Sequence, residues 1–278
     1  MEFKELGKSG HKIPVLGLGT WGIGGGFSPT TSDDDESVRA LQLGLELDMR
    51  LIDTAEMYGH GHSEEIVAKA VKPQRENVFI ASKVSREHLH YDDVIRACES
   101  SLKRLETDYI DLYQVHWPND NVPISETIKA MEHLVAEGKI HDFGVSNFSV
   151  QQTREAQNAL SKGSLASNQV EYSLLDRSIE ADILPYAEKE HITIIAYTPV
   201  AKGRIAKGGR SERWHVLDEI CSNYHKTRTQ VALNWLLAKK PVVVIPKAVS
   251  LKHVEENAGA VGWQMTRKEH DRLNEVFR

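Results

Sequence analysis

Two cysteines in 278 residues, Cys98 and Cys221, are too few for a disulfide framework and fit no metal-ligand spacing. No run approaches the roughly 20 apolar residues that span a bilayer, and the opening MEFKELGKSG lacks the apolar stretch of a secretory signal. Positive charge is not in excess: 34 Lys+Arg against 40 Asp+Glu leave a net charge of −6. That balance argues against general nucleic-acid binding, which rests on many cation–phosphate contacts. No low-complexity tract or linker separates two folding units. The expectation is one domain spanning residues 1–278, cytoplasmic, without membrane or nucleic-acid partners, and a monomer or weak homo-oligomer.

What is present is alternation. β-Branched apolar runs occupy 15–21, 51–55, 78–84, 110–117, 142–146, 166–172, 192–200 and 242–247. Several, such as LIDTA, ITIIAY and VVVIP, are apolar at nearly every position, as strands covered on both faces are. Between them lie amphipathic stretches at 36–48, 62–71, 92–105, 125–137, 149–160, 180–190, 214–224 with 229–238, and 250–258. Asp92, Ser125 and Ser149 are candidate caps. A last helix, 266–277, starts on Thr266-Arg-Lys-Glu269, a capping box. Eight such units at a spacing of roughly 30 residues predict a (β/α)₈ TIM barrel, an α/β fold of about 250 residues. The first segment predicts an N-terminal β-hairpin turning at 8–10 that plugs the barrel floor. An open doubly wound sheet is the rival, but it wants fewer strands and a crossover break.

Gly17-Leu-Gly19-Thr-Trp-Gly22 matches GxGxxG after a strand, yet no helix starts there. A glycine-rich loop follows to about Asp34, and Asp53 lies 31 residues past Gly22 rather than about 20. These glycines therefore read as a strand end and a flexible loop.

In such a barrel, polar residues at C-terminal strand ends form the site. They are Thr20, Trp21, Asp53, Tyr58, Lys83, His116, Trp117, Ser146, Asn147, Gln169, Tyr197 and Lys247. Most have an ordinary alternative as caps, turns or packing. Lys83 inside FIASKVS does not, because a buried ammonium is costly unless paired. Asp53 offsets that cost, and Lys83 beside Tyr58 is expected to lower a phenol pKa of about 10. A phenol so tuned can protonate a developing alkoxide while a neutral His116 orients the carbonyl oxygen. That set reduces a carbonyl if a hydride arrives opposite. A Schiff-base role for Lys83 is weaker, since it needs neither Tyr58 nor His116. The pairs His60/His62 and His88/His90 lack further ligands for a metal.

The sequence resembles the aldo-keto reductase superfamily over nearly its whole length, in its bacterial-type branch. The resemblance is carried by GLGTW at 17–21, LIDTAEMYG at 51–59, the SK step at 82–83 and SLKRLETDYIDLYQVHWP at 101–118. GVSNFS at 144–149, NQVEYS at 168–173, AYTPV at 196–200 and IPKAVSLKHVEEN at 245–257 follow in order. It implies NADPH-dependent, reversible reduction of aldehydes and ketones, with NAD(H) as the alternative cofactor. It carries a catalytic tetrad onto Asp53, Tyr58, Lys83 and His116, with Tyr58 the proton donor. It implies cofactor contacts from Thr20, Trp21 and Asp53, and from Ser146, Asn147 and Gln169 to the nicotinamide amide. Tyr197 would stack on the ring; Thr198, Val200, Lys202, Gly203, Arg204 and the basic loop to Arg213 would follow the pyrophosphate. Lys247, His253, Glu256 and Asn257 would hold the adenosine end. Trp21, Tyr58, His116 and Trp117 would wall an open substrate pocket. Ala248 and His253 depart from the family's Ser and Arg, which weakens discrimination between NADPH and NADH. The same family also admits a non-enzymatic reading, an NADP(H)-binding regulatory or redox-sensing subunit with incidental turnover.

Overall fold

The apolar runs become eight parallel strands that close on themselves. The structure, a computed structural model, describes all 278 residues. The strands are β3 (Gly17–Gly19), β4 (Leu51–Asp53), β5 (Phe79–Val84), β6 (Ile110–Val115), β7 (Ile140–Ser146), β8 (Ser167–Glu171), β9 (Thr193–Tyr197) and β10 (Val242–Val244). Each pairs in parallel with its sequence neighbour. Parallel bridges Leu16–Val244 and Gly19–Lys247 join the first strand to the last. The predicted (β/α)₈ barrel is the observed fold.

Helices α1 (Asp34–Glu46), α2 (His62–Val71), α3 (Tyr91–Arg104), α4 (Ile124–Ala136), α5 (Val150–Asn158) and α6 (Ile183–Glu190) alternate with β3 to β9. The β9–β10 connection carries a short α7 (Arg204–Lys207), then α8 (Glu212–Tyr224) and α9 (Arg228–Leu237); α10 (Leu251–Ala258) and α11 (Arg267–Val276) follow β10. Most of the apolar core lies between barrel and helices, as residues alternating along each strand require. No helix is long and apolar enough to cross a membrane.

The N-terminal hairpin, β1 (Phe3–Glu5) and β2 (Lys12–Pro14), closes the floor as expected. Leu6 and Ile13 join Leu51, Ala81, Leu112 and Val243 in a separate interior cluster. Thr193 Oγ1 accepts from the Gly7 amide at 2.9 Å and donates to Glu5 O at 3.2 Å. Lys4 Nζ donates to the carbonyls of Leu237, Lys239 and Val242 at 2.8, 2.8 and 2.6 Å.

Two helices start earlier than their candidate caps. Ser149 and Thr266 do form capping boxes, with Gln152 and Glu269. Asp92, however, lies inside the first turn of α3, where with Asp93 it complements the positive end of the helix dipole. Ser125 likewise lies inside α4, which begins after Pro123. β3 and β10 are shorter than their apolar runs: past Gly19 and Val244 the chains bend into mouth loops and pair only at isolated bridges.

Candidate active site

Side chains two apart on a strand share a face. Leu51, Ala81 and Leu112 belong to the interior cluster, so the next inward positions upward are Asp53, Lys83 and Gln114, with His116 just above. The strand period thus carries the polar residues to the C-terminal mouth, directly over an apolar plug.

Lys83 is fully buried. Its Nζ donates to Asp53 Oδ2 at 2.8 Å, Thr54 O at 2.9 Å and Tyr58 OH at 3.2 Å. An ammonium has three N–H donors, and all three are matched. Asp53 Oδ1 accepts from Gln169 Nε2 at 2.7 Å, so both carboxylate oxygens are engaged. Tyr58 opens a 3-10 turn (Tyr58–Gly61) just past β4 and is nearly buried. Its position depends on Gly59, whose φ is +56° and where a Cβ would lie 2.4 Å from Gly24 O. The phenol oxygen accepts from Lys83, and no protein group accepts the phenol's own proton. The ring of His116 stands edge-on to Tyr58 at 5.6 Å, and that of Trp21 does the same at 5.0 Å.

Burial sets the protonation states. It pushes the Tyr58 pKa above 10.0; Lys83 opposes this and Asp53 reinforces it. The expected lowering by Lys83 is therefore present but outweighed, because the phenolate would lose its hydration beside a carboxylate. For Lys83, burial favours the neutral amine, yet Asp53 and Tyr58 overcome it and hold the ammonium above its ordinary value. Burial and then Lys83 bring His116 down to about 2, so it is neutral. The site at rest is a carboxylate, an ammonium, a protonated phenol and a neutral imidazole.

The other half of the mouth is lined by amides and hydroxyls. Ser146 Oγ donates to Gln169 O at 2.9 Å, and Asn147 Nδ2 donates to His116 O at 3.1 Å. Asn147 is held at φ +62°, and its Oδ1 accepts from Tyr197 OH at 2.9 Å. Thr198 and Lys202 also adopt left-handed backbone, turning the β9 loop sharply over the mouth. Val200 precedes a 3-10 turn (Ala201–Gly203) in that loop, and Arg204 starts α7. Lys247 crosses to the β3 side: a Cβ on Gly22 would lie 3.0 Å from its Nζ. His253 lies exposed in the first turn of α10, whose N-cap is Ser250; Glu256 and buried Asn257 sit one turn further on.

Lys202, Arg204, Lys207, Arg210 and Lys247 have no carboxylate within ion-pair distance. Unpaired cations around a mouth lined by amides suit a polyanionic cofactor carrying a carboxamide ring. Arg213 does not share that orientation, because its guanidinium lies over the rings of Trp214 and Phe277 at 5.3 and 5.7 Å. Thr20 is fully buried, and its hydroxyl accepts from Ser63 Oγ at 2.9 Å. Trp117 stands at the rim, exposed like Trp21.

Three further residues, Glu56, Gln114 and Phe27, belong to the site's surroundings. Glu56 Oε1 accepts from the Ser85 amide at 2.6 Å and contacts His88 Nδ1 at 3.0 Å, bracing the loops on either side of Lys83. Gln114 is a buried amide in the barrel interior whose Nε2 lacks a protein partner. Its signal was visible, as a Gln between Tyr113 and Val115 in an apolar run. Phe27 stands at the rim against Trp21; its signal was an aromatic among glycines.

A family model described as the aldo/keto reductase family matches residues 15–278. Methylglyoxal reductase YeaE of Escherichia coli (strain K12) is 37% identical over 279 residues, covering 100% of this chain and 96% of the relative. The solved thermostable aldo-keto reductase Tm1743, in complex with the inhibitor epalrestat, is 42% identical with a TM-score of 0.94, covering 99% of this chain and 100% of that one. An aldo/keto reductase from Klebsiella pneumoniae, solved with NADP and acetate, is 35% identical with a TM-score of 0.88, covering 100% and 96% of the two chains.

Proposed function

The chain belongs to the aldo/keto reductase family, and on that premise we propose that it reduces small aldehydes and ketones, α-dicarbonyls of the methylglyoxal type among them, with NADPH and with Tyr58 as proton donor. The observation that carries this reading is the Lys83 ammonium, whose three donors go to Asp53, Thr54 and Tyr58 and leave the phenol proton free.

When bound, the reduced cofactor supplies a hydride to the carbonyl carbon. Tyr58 gives its proton to the carbonyl oxygen as negative charge grows there. Lys83 opposes the charge left on the phenolate, and Asp53 keeps Lys83 charged and in place. Neutral His116 orients the carbonyl oxygen from the opposite edge of the Tyr58 ring. Ser146, Asn147 and Gln169 hold the carboxamide, and Tyr197, tied to Asn147, offers its ring as a stacking face. Lys202, Arg204 and Lys247 attract the phosphates; His253, Glu256 and Asn257 line the adenosine end. Trp21 and Trp117 wall the approach to the reacting carbonyl. We read the working form as a monomer or weak homo-oligomer acting on small molecules.

The test is Tyr58→Phe. It should cut the rate of methylglyoxal reduction by about 10²–10⁴, the usual worth of general acid catalysis, while NADPH still binds as followed by its fluorescence. Full-speed reduction by this variant would refute the assignment. If the unaltered protein oxidised bound NADPH more slowly than minutes across a broad carbonyl panel, a binding and sensing role would replace catalysis.

A further inference from the structure

Phe27 is 69% exposed, more than any other large apolar side chain. It sits in the β3–α1 loop among four glycines, but that loop is tied down on both sides of it. The Gly59 amide donates to Gly26 O at 2.8 Å, joining the residue before Phe27 to the residue after Tyr58. The Thr30 amide donates to Gly24 O at 2.9 Å, Gly22 bridges Gly25, and Ile23 is buried in the core. The loop thus presents a hydrophobic ring to water in a defined place, at the mouth.

Its ring meets Trp21 edge-on at 5.1 Å and 72°; Trp21 meets Tyr58 at 5.0 Å and 73°; Tyr58 meets His116 at 5.6 Å and 72°. Four rings lead from the imidazole through the proton donor to solvent. We propose that Phe27 is a specificity-determining residue, the outer end of an aromatic wall that selects carbonyls carrying an aromatic substituent. The proposal rests on the reductase reading of the site and names its substrate class.

The physical ground is area and geometry. An exposed Phe regains contact energy only when an apolar group covers it. With its oxygen at Tyr58 OH and His116, a carbonyl whose substituent followed the ring series outward would leave a methyl group beside Trp21, whereas a phenyl ring would reach toward Phe27 and could pack edge-on, as the protein rings already do.

Methylglyoxal and phenylglyoxal differ only in that substituent, so the test is their KM ratio in the full-length protein, Phe27→Ala and Phe27→Trp, with NADPH saturating. Phe27→Ala should raise the phenylglyoxal/methylglyoxal KM ratio about three- to tenfold, the fold-change of an aromatic pair. Phe27→Trp should return the ratio to within twofold of the original, which loop disruption would not do. A ratio unchanged in Phe27→Ala, including the case where both KM values rise together, overturns the proposal. Failure of the unaltered protein to reduce either dicarbonyl would instead overturn the reductase reading, and the proposal with it.

Discussion

A phenol buried beside a carboxylate holds its proton more tightly than one in water, and this fixes how Tyr58 responds to pH. Its pKa is raised by burial while Lys83 pulls the other way, and His116 is held at about 2. Neither group changes charge between about pH 5 and about pH 9. The kcat/KM for carbonyl reduction should therefore stay flat across that range and fall only above the ordinary phenol value, where the donor proton is lost. A descending limb with a midpoint below about pH 9 would show that the phenol is acidified after all. Stability carries a different sign. The unfolded chain protonates His116 below its ordinary 6.5 and the folded chain does not until about 2, so this residue withdraws stability as pH falls through 6.5. Lys83 offers a second test at this scale. Lys83→Met leaves the Asp53 carboxylate buried with Gln169 as its remaining partner and should cost about 3–5 kcal/mol in urea unfolding. Adding Asp53→Asn should recover most of that loss; no recovery would mean that the cost is packing rather than unpaired charge. These two residues were legible in the chain because a lysine in an apolar strand demands a partner. The direction of the Tyr58 shift was not, because it depends on how much water the fold removes.

At the scale of elements, periodicity identified the strands and most helices, while end chemistry was harder to read. Ser149 and Thr266 were recognisable because the residue three positions on completes a capping box. Asp92 and Ser125 lack such a partner, and an acid or hydroxyl serves as well inside a first turn as before it. The glycine-rich loop from Gly22 to about Asp34 read as flexible because composition does not reveal the Gly59–Gly26 hydrogen bond that pins it. The hairpin is the element whose energetic role is most open to measurement. Lys4 crosses under the barrel to three carbonyls, at the end of α9 and the start of β10. Lys4→Ala removes charge-assisted bonds worth about 1.5–3 kcal/mol in total if one or two dominate. The thermal midpoint should drop while kcat/KM at low temperature stays within twofold, because the hairpin lies at the opposite end from Tyr58. An equal loss of kcat/KM would mean that floor and mouth are coupled through the interior plug.

For the whole molecule, the closed barrel was legible because eight apolar runs recur with a helical pattern between each pair, doubled between the last two. The place where the barrel closes without a regular ladder was not, because it depends on the pairing register. β5 and β6 share four paired positions, β6 and β7 five and β7 and β8 two, all in ladders, whereas β3 and β10 meet only through the isolated bridges Leu16–Val244 and Gly19–Lys247. The seam is held by the Val244 amide on Val15 O at 2.9 Å and the Gly19 amide on Pro246 O at 3.2 Å. Few shared hydrogen bonds mean a low free energy of local opening, so amide exchange should be fastest there among the barrel strands. The same seam carries the proposed phosphate ligand Lys247 on one side and the loop of Gly22 on the other. A ligand held by both would close it. NADP⁺ at about 100 times its Kd should stabilise the fold by about 2.7 kcal/mol, and the Gly19 and Val244 amides should gain more protection than those of β5 and β6. Equal protection across all strands would show that the cofactor stabilises the barrel without bridging its seam, and would remove Lys247 from the proposed contacts.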